Sequence, residues 1–403
     1  MQTRLATSVL AASICLTACS GGNGSSSNVS PPPPPPPVAR DAIPRLPAGP
    51  HVGTIIGFDQ LTSSGPNREA VAQALIADAR AAGATVGRAQ IDWAELETAP
   101  GVYDEPALRD ALSAAKVLGP FVFVTLSTLD TDALTVPSDL LEDGRLRDGR
   151  TLSSPAILAR FRAFLDWLTP ILAEEEVWGL SLGNEVDVAI SDGFDPPASS
   201  LTFFQAGFDR VRAVDPQMAV TVTLTISAPR TLPDFSDSLI ADMDVVTFNY
   251  YCLDEQLLVT RESRWDADIR DMKREAGNKP IFIQELGCPV GYGDDGAGAP
   301  VRPANGLMGT ADIQATFFED MMQRFADDEQ LRAATVFQLL DWSPALARSF
   351  SDPLRAVGED LSADRLEEWL ATVGLCRWAD ATCRPAFQVW LDGLEKVRAA
   401  RPE

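Results

Sequence analysis

Histidine is almost missing from this chain: His51 is the only one among 403 residues. A zinc site with two histidines is therefore excluded, and a Ser-His-Asp triad would have to use His51. Positive charge is also scarce. The 33 Lys and Arg stand against 57 Asp and Glu, a formal charge of -24. Phosphate would find too few partners, so no nucleic-acid partner is expected. A purely electrostatic grip on anionic lipid is disfavoured for the same reason. No Gly-x-Gly-x-x-Gly follows the first predicted strand, which weakens a dinucleotide site. What is abundant is carboxylate, on a chain whose 45% hydrophobic content supports a sizeable core. If the protein is an enzyme, carboxylates do the work, with no metal and no organic cofactor.

Residues 1–18 carry one charge, Arg4, before an apolar stretch through Val9, Leu10, Ile14 and Leu16. That stretch is too short for a stable membrane span and reads as an export signal. Leu16-Thr17-Ala18-Cys19 resembles the lipobox of bacterial lipoproteins. The resemblance implies a lipoprotein signal peptide cut before Cys19 and lipidation of Cys19. With Ser20 next, it implies a cell-envelope protein held at the outer membrane by its lipid anchor. Ordinary secretion with an incidental Cys19 is the alternative. Residues 19–40 form a linker: a Gly/Ser-rich coil, then Pro31 to Pro37 as a polyproline II spacer of roughly 3.1 Å per residue. Residues 41–403 read as one catalytic domain, expected to be a monomer.

Apolar spacing predicts β-strands at His51–Phe58, Thr85–Ile91, Phe121–Leu126, Val177–Leu182, Ala219–Thr225, Val245–Asn249, Pro280–Gln284 and Ala334–Leu339. Between them it predicts helices at Asn67–Ala82, Glu105–Val117, Pro155–Glu175, Leu201–Val214, Asp234–Ala241, Glu262–Ala276 and Asp312–Ala326. Gly83, Gly119 and Gly277 fall just past helix ends, where left-handed caps are expected. The repeats predict an α/β fold, a single (β/α)8 TIM barrel behind the signal and linker. A doubly wound open sheet is the alternative.

Barrel chemistry belongs at the C-terminal strand ends. Two apolar runs stop there at a glutamate: strand four at Asn184-Glu185 and strand seven at Gln284-Glu285. A carboxylate is costly in the barrel core and cheap at its mouth. Glu185 and Glu285 would face each other across that mouth, the pair that glycoside hydrolysis requires. Either one alone reads equally well as a salt-bridged rim residue.

With those residues in place, the chain resembles the clan-A retaining glycoside hydrolases over roughly residues 50–395. Asn184-Glu185 is similar to their strand-four motif, which implies Glu185 as acid/base and Asn184 as a partner of the sugar 2-hydroxyl. Ile283-Gln284-Glu285-Leu286-Gly287 resembles their strand-seven segment and implies Glu285 as nucleophile. Arg88, in Gly87-Arg88-Ala89-Gln90-Ile91-Asp92-Trp93, matches a strand-two arginine that hydrogen-bonds the nucleophile. On strand six, Tyr251 is preferred over Tyr250 as the tyrosine beside it. Asp341-Trp342-Ser343 implies a tryptophan under the sugar, and Gly374-Leu375 with Arg384-Pro385-Ala386-Phe387 resembles the clan's closing segment. The resemblance implies a glycosidase acting on β-linked oligo- or polysaccharide by double displacement. Its acid/base must hold a proton at working pH, which apolar walls and a second negative carboxylate would favour. The chain departs from the pattern at strand three, which ends Leu126-Ser127-Thr128 without a histidine.

Trp93, Trp342, Phe58 and Tyr250 are candidate sugar-stacking aromatics. Core packing is the alternative for these, as it is for Trp178. Trp167, Trp369 and Trp390 fall on helical patterns and read as packing. The segment from Leu129 to Ser154 is expected to shape one wall of the cleft. Its Asp130, Asp132, Asp139, Glu142 and Asp143 read as a solvated acidic face. Export also implies disulfides. With Cys15 in the signal and Cys19 lipidated, the expected pairs are Cys376 with Cys383, across a loop, and Cys252 with Cys288, after neighbouring strands. Buried free thiols are the alternative, with Cys252 at the active-site mouth.

Two other functional classes compete: a non-catalytic glycan-binding lipoprotein on the same fold, and a divalent-metal carboxylate barrel enzyme. Fold alone does not separate them. The paired glutamates argue for catalysis, and the lack of histidine argues against the metal enzyme.

Overall fold

The computed structural model describes residues 45, 48–55, 68–292 and 306–401. The expected signal and linker, Cys19, Phe58 and the end of the first predicted strand lie outside the described residues. Parallel strands form at all eight expected places. They are β1 (His51–Thr54), β2 (Val86–Asp92), β3 (Phe121–Ser127), β4 (Gly179–Ser181), β5 (Ala219–Thr221 and Thr223–Thr225), β6 (Val246–Tyr251), β7 (Ile281–Gly287) and β8 (Leu331–Val336). They are mostly β-branched and aromatic, and buried on both faces, as parallel strands under helices must be.

Each strand pairs with its sequence neighbours, and β8 pairs with β1. At β5 the two pieces divide the labour. Ala219–Thr221 pairs with β4 and Thr223–Thr225 with β6, while Val222 carries the chain between them. The sheet therefore closes into a barrel, and the open-sheet alternative falls.

The outer ring is α1 (Arg68–Ala82), α2 (Glu105–Leu118), α3 (Pro155–Glu174), α4 (Pro197–Val214), α5 (Pro233–Asp242), α6 (Glu262–Ala276), α7 (Ala311–Asp327) and α8 (Pro385–Ala399). Proline opens four of these helices, where its missing N–H costs nothing. α8 packs against α7 and α1 and completes the ring. Gly83 and Gly277 have positive φ, 120° and 60°. Gly119 does not: its φ of -167° is extended. Glycine is needed there for close approach, since a Cβ would lie 2.4 Å from the Thr85 carbonyl.

Inside the barrel, the layers change character along the axis. The N-terminal layer is apolar: Val86, Phe123, Trp178, Ala219, Val245, Phe282 and Ala333 form their own buried cluster. Phe123 meets Trp178 and Phe282 at ring-centroid distances of 5.0 and 4.6 Å. Trp178 is thus core. Above it the inward positions turn polar: Arg88, Thr125, Ser181, Thr221, Thr223, Thr247 and Gln284 are all buried. Such groups stay inside only when hydrogen-bonded, and that network is the floor of the site. Both expected disulfides are present, Cys252–Cys288 and Cys376–Cys383.

Candidate active site

Glu285 sits on an irregularity of β7. Phe248 pairs with Ile283 and Asn249 with Glu285, so Gln284 is one residue in excess. A bulge of this kind re-aims side chains that strict alternation would send to opposite faces. Here it brings Gln284 and Glu285 both inward. Arg88 Nη1 donates to Glu285 Oε1 at 2.8 Å, and Tyr251 Oη donates to Oε2 at 2.6 Å. The Arg88 and Glu285 side chains are each 2% exposed. Arg88 Nε also donates to Thr125 Oγ1 at 3.0 Å, which fixes the guanidinium from a second side. Burial and the neighbouring Glu285 charge push the Tyr251 hydroxyl well above its ordinary pKa. It therefore keeps its proton and acts as donor.

Glu185 lies past the end of β4, with φ 45° and ψ 41°, and opens a short helix, Val186–Ser191. A left-handed glutamate is strained, and such strain collects at functional sites. Asn249 Nδ2 donates to Glu185 Oε1 at 3.0 Å. Burial first, and then the Glu285 charge, raise the Glu185 pKa well above the carboxylate range. Both glutamates thus stand at the C-terminal mouth and influence each other.

Three amides join the two halves. Gln284 Nε2 donates to Asn184 Oδ1 at 2.9 Å, and Asn249 Nδ2 lies 3.1 Å from the same oxygen. Gln284 Oε1 accepts from Thr125 and Thr223 at 2.7 and 2.8 Å. Asn184 Nδ2 donates to Asp130 Oδ1 at 3.0 Å. Asp130 also accepts from Ser127 and Gln90 at 2.7 and 2.9 Å. Burial lifts its pKa to about 7. Asp130 is therefore no part of a solvated acidic face; Asp132, Asp139, Glu142 and Asp143 are exposed, as expected. Asp187, held by the Thr225 hydroxyl at 2.6 Å, is raised to about 6 by burial.

The expected aromatics divide. Trp93 is fully buried against Phe161, Phe164 and Phe203, with its indole N–H on Glu97 at 2.7 Å. It is packing, not a sugar platform. Tyr250 points outward, its ring 5.8 Å from Phe317 and its hydroxyl on Asp268. Alternation along β6 is the reason: Thr247, Asn249 and Tyr251 face in, so Tyr250 faces the helices. Trp342 packs on Phe350 and Phe337 at 5.0 and 6.3 Å and is 4% exposed. Phe337 in turn meets the Tyr251 ring, and so does Trp369 at 4.7 Å. Trp369, expected as packing, buttresses the site. Asp341 is held by Arg384 at 2.9 and 2.7 Å, a buried bidentate pair that ties the end of β8 to the start of α8. His51 bonds Thr85 and Ala48 at the opposite barrel end, and burial lowers its pKa to about 4.

Asn249, Gln284 and the placement of Asp130 were not expected from the sequence. Asn249 had a signal: it shares a face with Tyr251 two residues on.

No protein-family model matches the sequence, and no curated protein matches it. Solved structures are similar in fold. A GH5_18 protein from Streptomyces cattleya, in complex with GlcNAc, is 18% identical, with a TM-score of 0.63 over 88% of this chain and 82% of that one. A GH5_18 variant from Bifidobacterium longum subsp. longum, in complex with Manb1-4GlcNAc, is 15% identical, TM-score 0.62, over 88% and 79%. The exo-beta-1,4-mannosidase Op5Man5 from Opitutaceae bacterium strain TAV5 is 15% identical, TM-score 0.57, over 91% and 64%.

Proposed function

We propose that this protein is a retaining glycoside hydrolase acting on β-linked oligo- or polysaccharide, with Glu285 as nucleophile and Glu185 as acid/base. The observation that carries it is the asymmetry of the pair. Glu285 has a donor on each oxygen, from Arg88 and Tyr251. Glu185, in the same mouth, is driven toward its protonated form by burial and by Glu285. A carboxyl held by two donors, beside one driven to its protonated form, is the arrangement of a nucleophile and an acid.

In the first step a Glu285 oxygen attacks the anomeric carbon as the bond to the leaving oxygen breaks. Glu185 gives that oxygen its proton. Glu285 is now a neutral ester, so its repulsion of a negative Glu185 is gone. Glu185 takes a proton from water, the water oxygen attacks the anomeric carbon, and Glu285 leaves as a carboxylate. Asn184, held by Gln284 and Asp130, offers its amide to the sugar 2-hydroxyl. Similarity to an exo-beta-1,4-mannosidase and to a protein in complex with Manb1-4GlcNAc puts β-mannosides first among the substrates to try. A panel of aryl β-glycosides, β-mannoside included, tests the reading. We expect hydrolysis of at least one, lost in Glu285→Ala. No turnover across aryl glycosides and polysaccharides would overturn it in favour of a glycan-binding protein.

We also propose that Cys19 carries lipid and holds the protein at the outer membrane. Arg45, the first described residue after the linker, donates to Asp215 at 2.5 Å and to the Val177 carbonyl. Those residues precede β5 and β4, at the barrel face opposite the glutamates. Cys19→Ala should release the protein from the membrane fraction; unchanged fractionation and intact mass would refute the anchor.

A further inference from the structure

We propose that Thr131 and Asp130 are positioning residues that keep the proton on Glu185, an inference that rests on the acid/base reading of Glu185. Residues 129–131 extend β3 alongside the end of β4. Thr131 N–H donates to the Asn184 carbonyl, and Asn184 N–H to the Leu129 carbonyl, each at 3.0 Å. Thr131 has φ 44° and Glu185 φ 45°. Threonine there is an outlier, because its branched Cβ crowds the backbone. Strain of this kind persists only where the surroundings impose it. The two strained residues meet: Thr131 Oγ1 lies 3.3 Å from Glu185 Oε2 and 3.2 Å from Asp130 Oδ1. All three are buried.

The bonding sets a direction. Glu185 Oε1 accepts from Asn249, so the proton of the neutral acid belongs on Oε2, facing Thr131. Asp130 accepts from Asn184, Ser127 and Gln90. It is an acceptor for Thr131 as well. With Glu185 protonated, two bonds run in series, Glu185 O–H to Thr131 and Thr131 O–H to Asp130. With Glu185 ionised, and Asp130 ionised above its own midpoint of about 7, one hydroxyl hydrogen serves two carboxylates. The hydroxyl thus favours the protonated form by one buried hydrogen bond. The other groups around Glu185 are Glu285 from β7, Asp187 from the short helix, Tyr251 from β6 and, beyond Glu285, Arg88 from β2. The repulsion from Glu285, Asp187 and Asp130 acts in the same direction. When Glu285 becomes an ester and Glu185 ionises, the Thr131 hydrogen turns from Asp130 to Glu185. No covalent bond changes at Thr131.

Carbon-13 NMR of glutamate-labelled protein reads the Glu185 titration directly, with its signal assigned by loss in Glu185→Gln. Thr131→Val should lower the Glu185 midpoint by about one pH unit, a tenfold change. Thr131→Ala, which also drops the branched Cβ, should do the same if the valine variant folds poorly. Thr131→Ser should restore the wild-type midpoint. If the enzyme turns over glycosides, the alkaline limb of kcat/KM should move down with the midpoint. An unmoved or raised midpoint in both Thr131→Val and Thr131→Ala overturns the inference and leaves the glycosidase reading standing. A lowered midpoint without turnover of any glycoside supports the positioning role and counts against the enzyme instead.

Discussion

Arg88 gives its guanidinium to three side chains in the barrel: Glu285, Thr125 and Gln90. Its loss would leave the Glu285 charge buried without its partner, a defect that costs about 3–5 kcal/mol. Arg88→Met should therefore lower both Tm and kcat/KM. Tyr251→Phe removes one donor from Glu285 and little volume. We expect it to lower kcat/KM about 10²-fold and, by leaving one buried carboxylate oxygen without its donor, to lower Tm less than Arg88→Met does. Steady-state kinetics beside thermal unfolding checks both, and a Tyr251→Phe enzyme at wild-type kcat/KM would remove Tyr251 from the site. At this scale Glu185, Glu285, Arg88 and Asn184 were legible, and Asn249, Gln284 and the burial of Asp130 were not. Glu185 and Glu285 announce themselves as charges at the ends of apolar runs, and Arg88 stands out through the resemblance of its strand segment. Asn249 and Gln284 carry no charge, and their role follows from what they touch. Trp93 misled because it directly follows the inward Asp92, yet opens a helical turn that swings it under α3 and α4.

Strand existence was legible from runs of β-branched and aromatic residues, but local irregularities were not. The extra residue at Gln284 on β7 and the division of β5 at Val222 leave no mark in hydrophobic spacing. Two helices between β8 and α8, Pro344–Ala356 and Asp360–Leu370, lie outside the strand–helix repeat and were not expected. The second carries Trp369, which buttresses Tyr251. Cys252–Cys288 locks the same region, since the cysteines directly follow the registered pair Tyr251 and Gly287. The sequence separations are 36 for this disulfide and 7 for Cys376–Cys383. Loop entropy gives about 4 and about 2 kcal/mol respectively. Cys252→Ser with Cys288→Ser should therefore lower Tm more than Cys376→Ser with Cys383→Ser, and should alone depress kcat. Equal losses in both respects would contradict the locking role.

The whole molecule is a barrel whose floor is apolar, whose middle is a hydrogen-bonded polar layer and whose mouth holds two unlike carboxyls. Closure of eight repeats was readable from sequence because each strand–helix unit carries its own periodicity. The chemistry was readable only through the order of the motifs along the chain. The chemistry turns on the division of labour between Glu185 and Glu285. Azide rescue of the Glu185→Ala variant on an aryl β-glycoside with a good leaving group tests it most directly. Such a substrate needs little proton donation in the first step, so the glycosyl–Glu285 ester should accumulate. Azide needs no general base and fits where the carboxyl was. We predict that it speeds turnover and yields a glycosyl azide of unchanged anomeric configuration, with Glu285→Ala inactive throughout. An azide product of inverted configuration from the Glu185 variant, or full activity in either alanine variant, would rule out this division of labour.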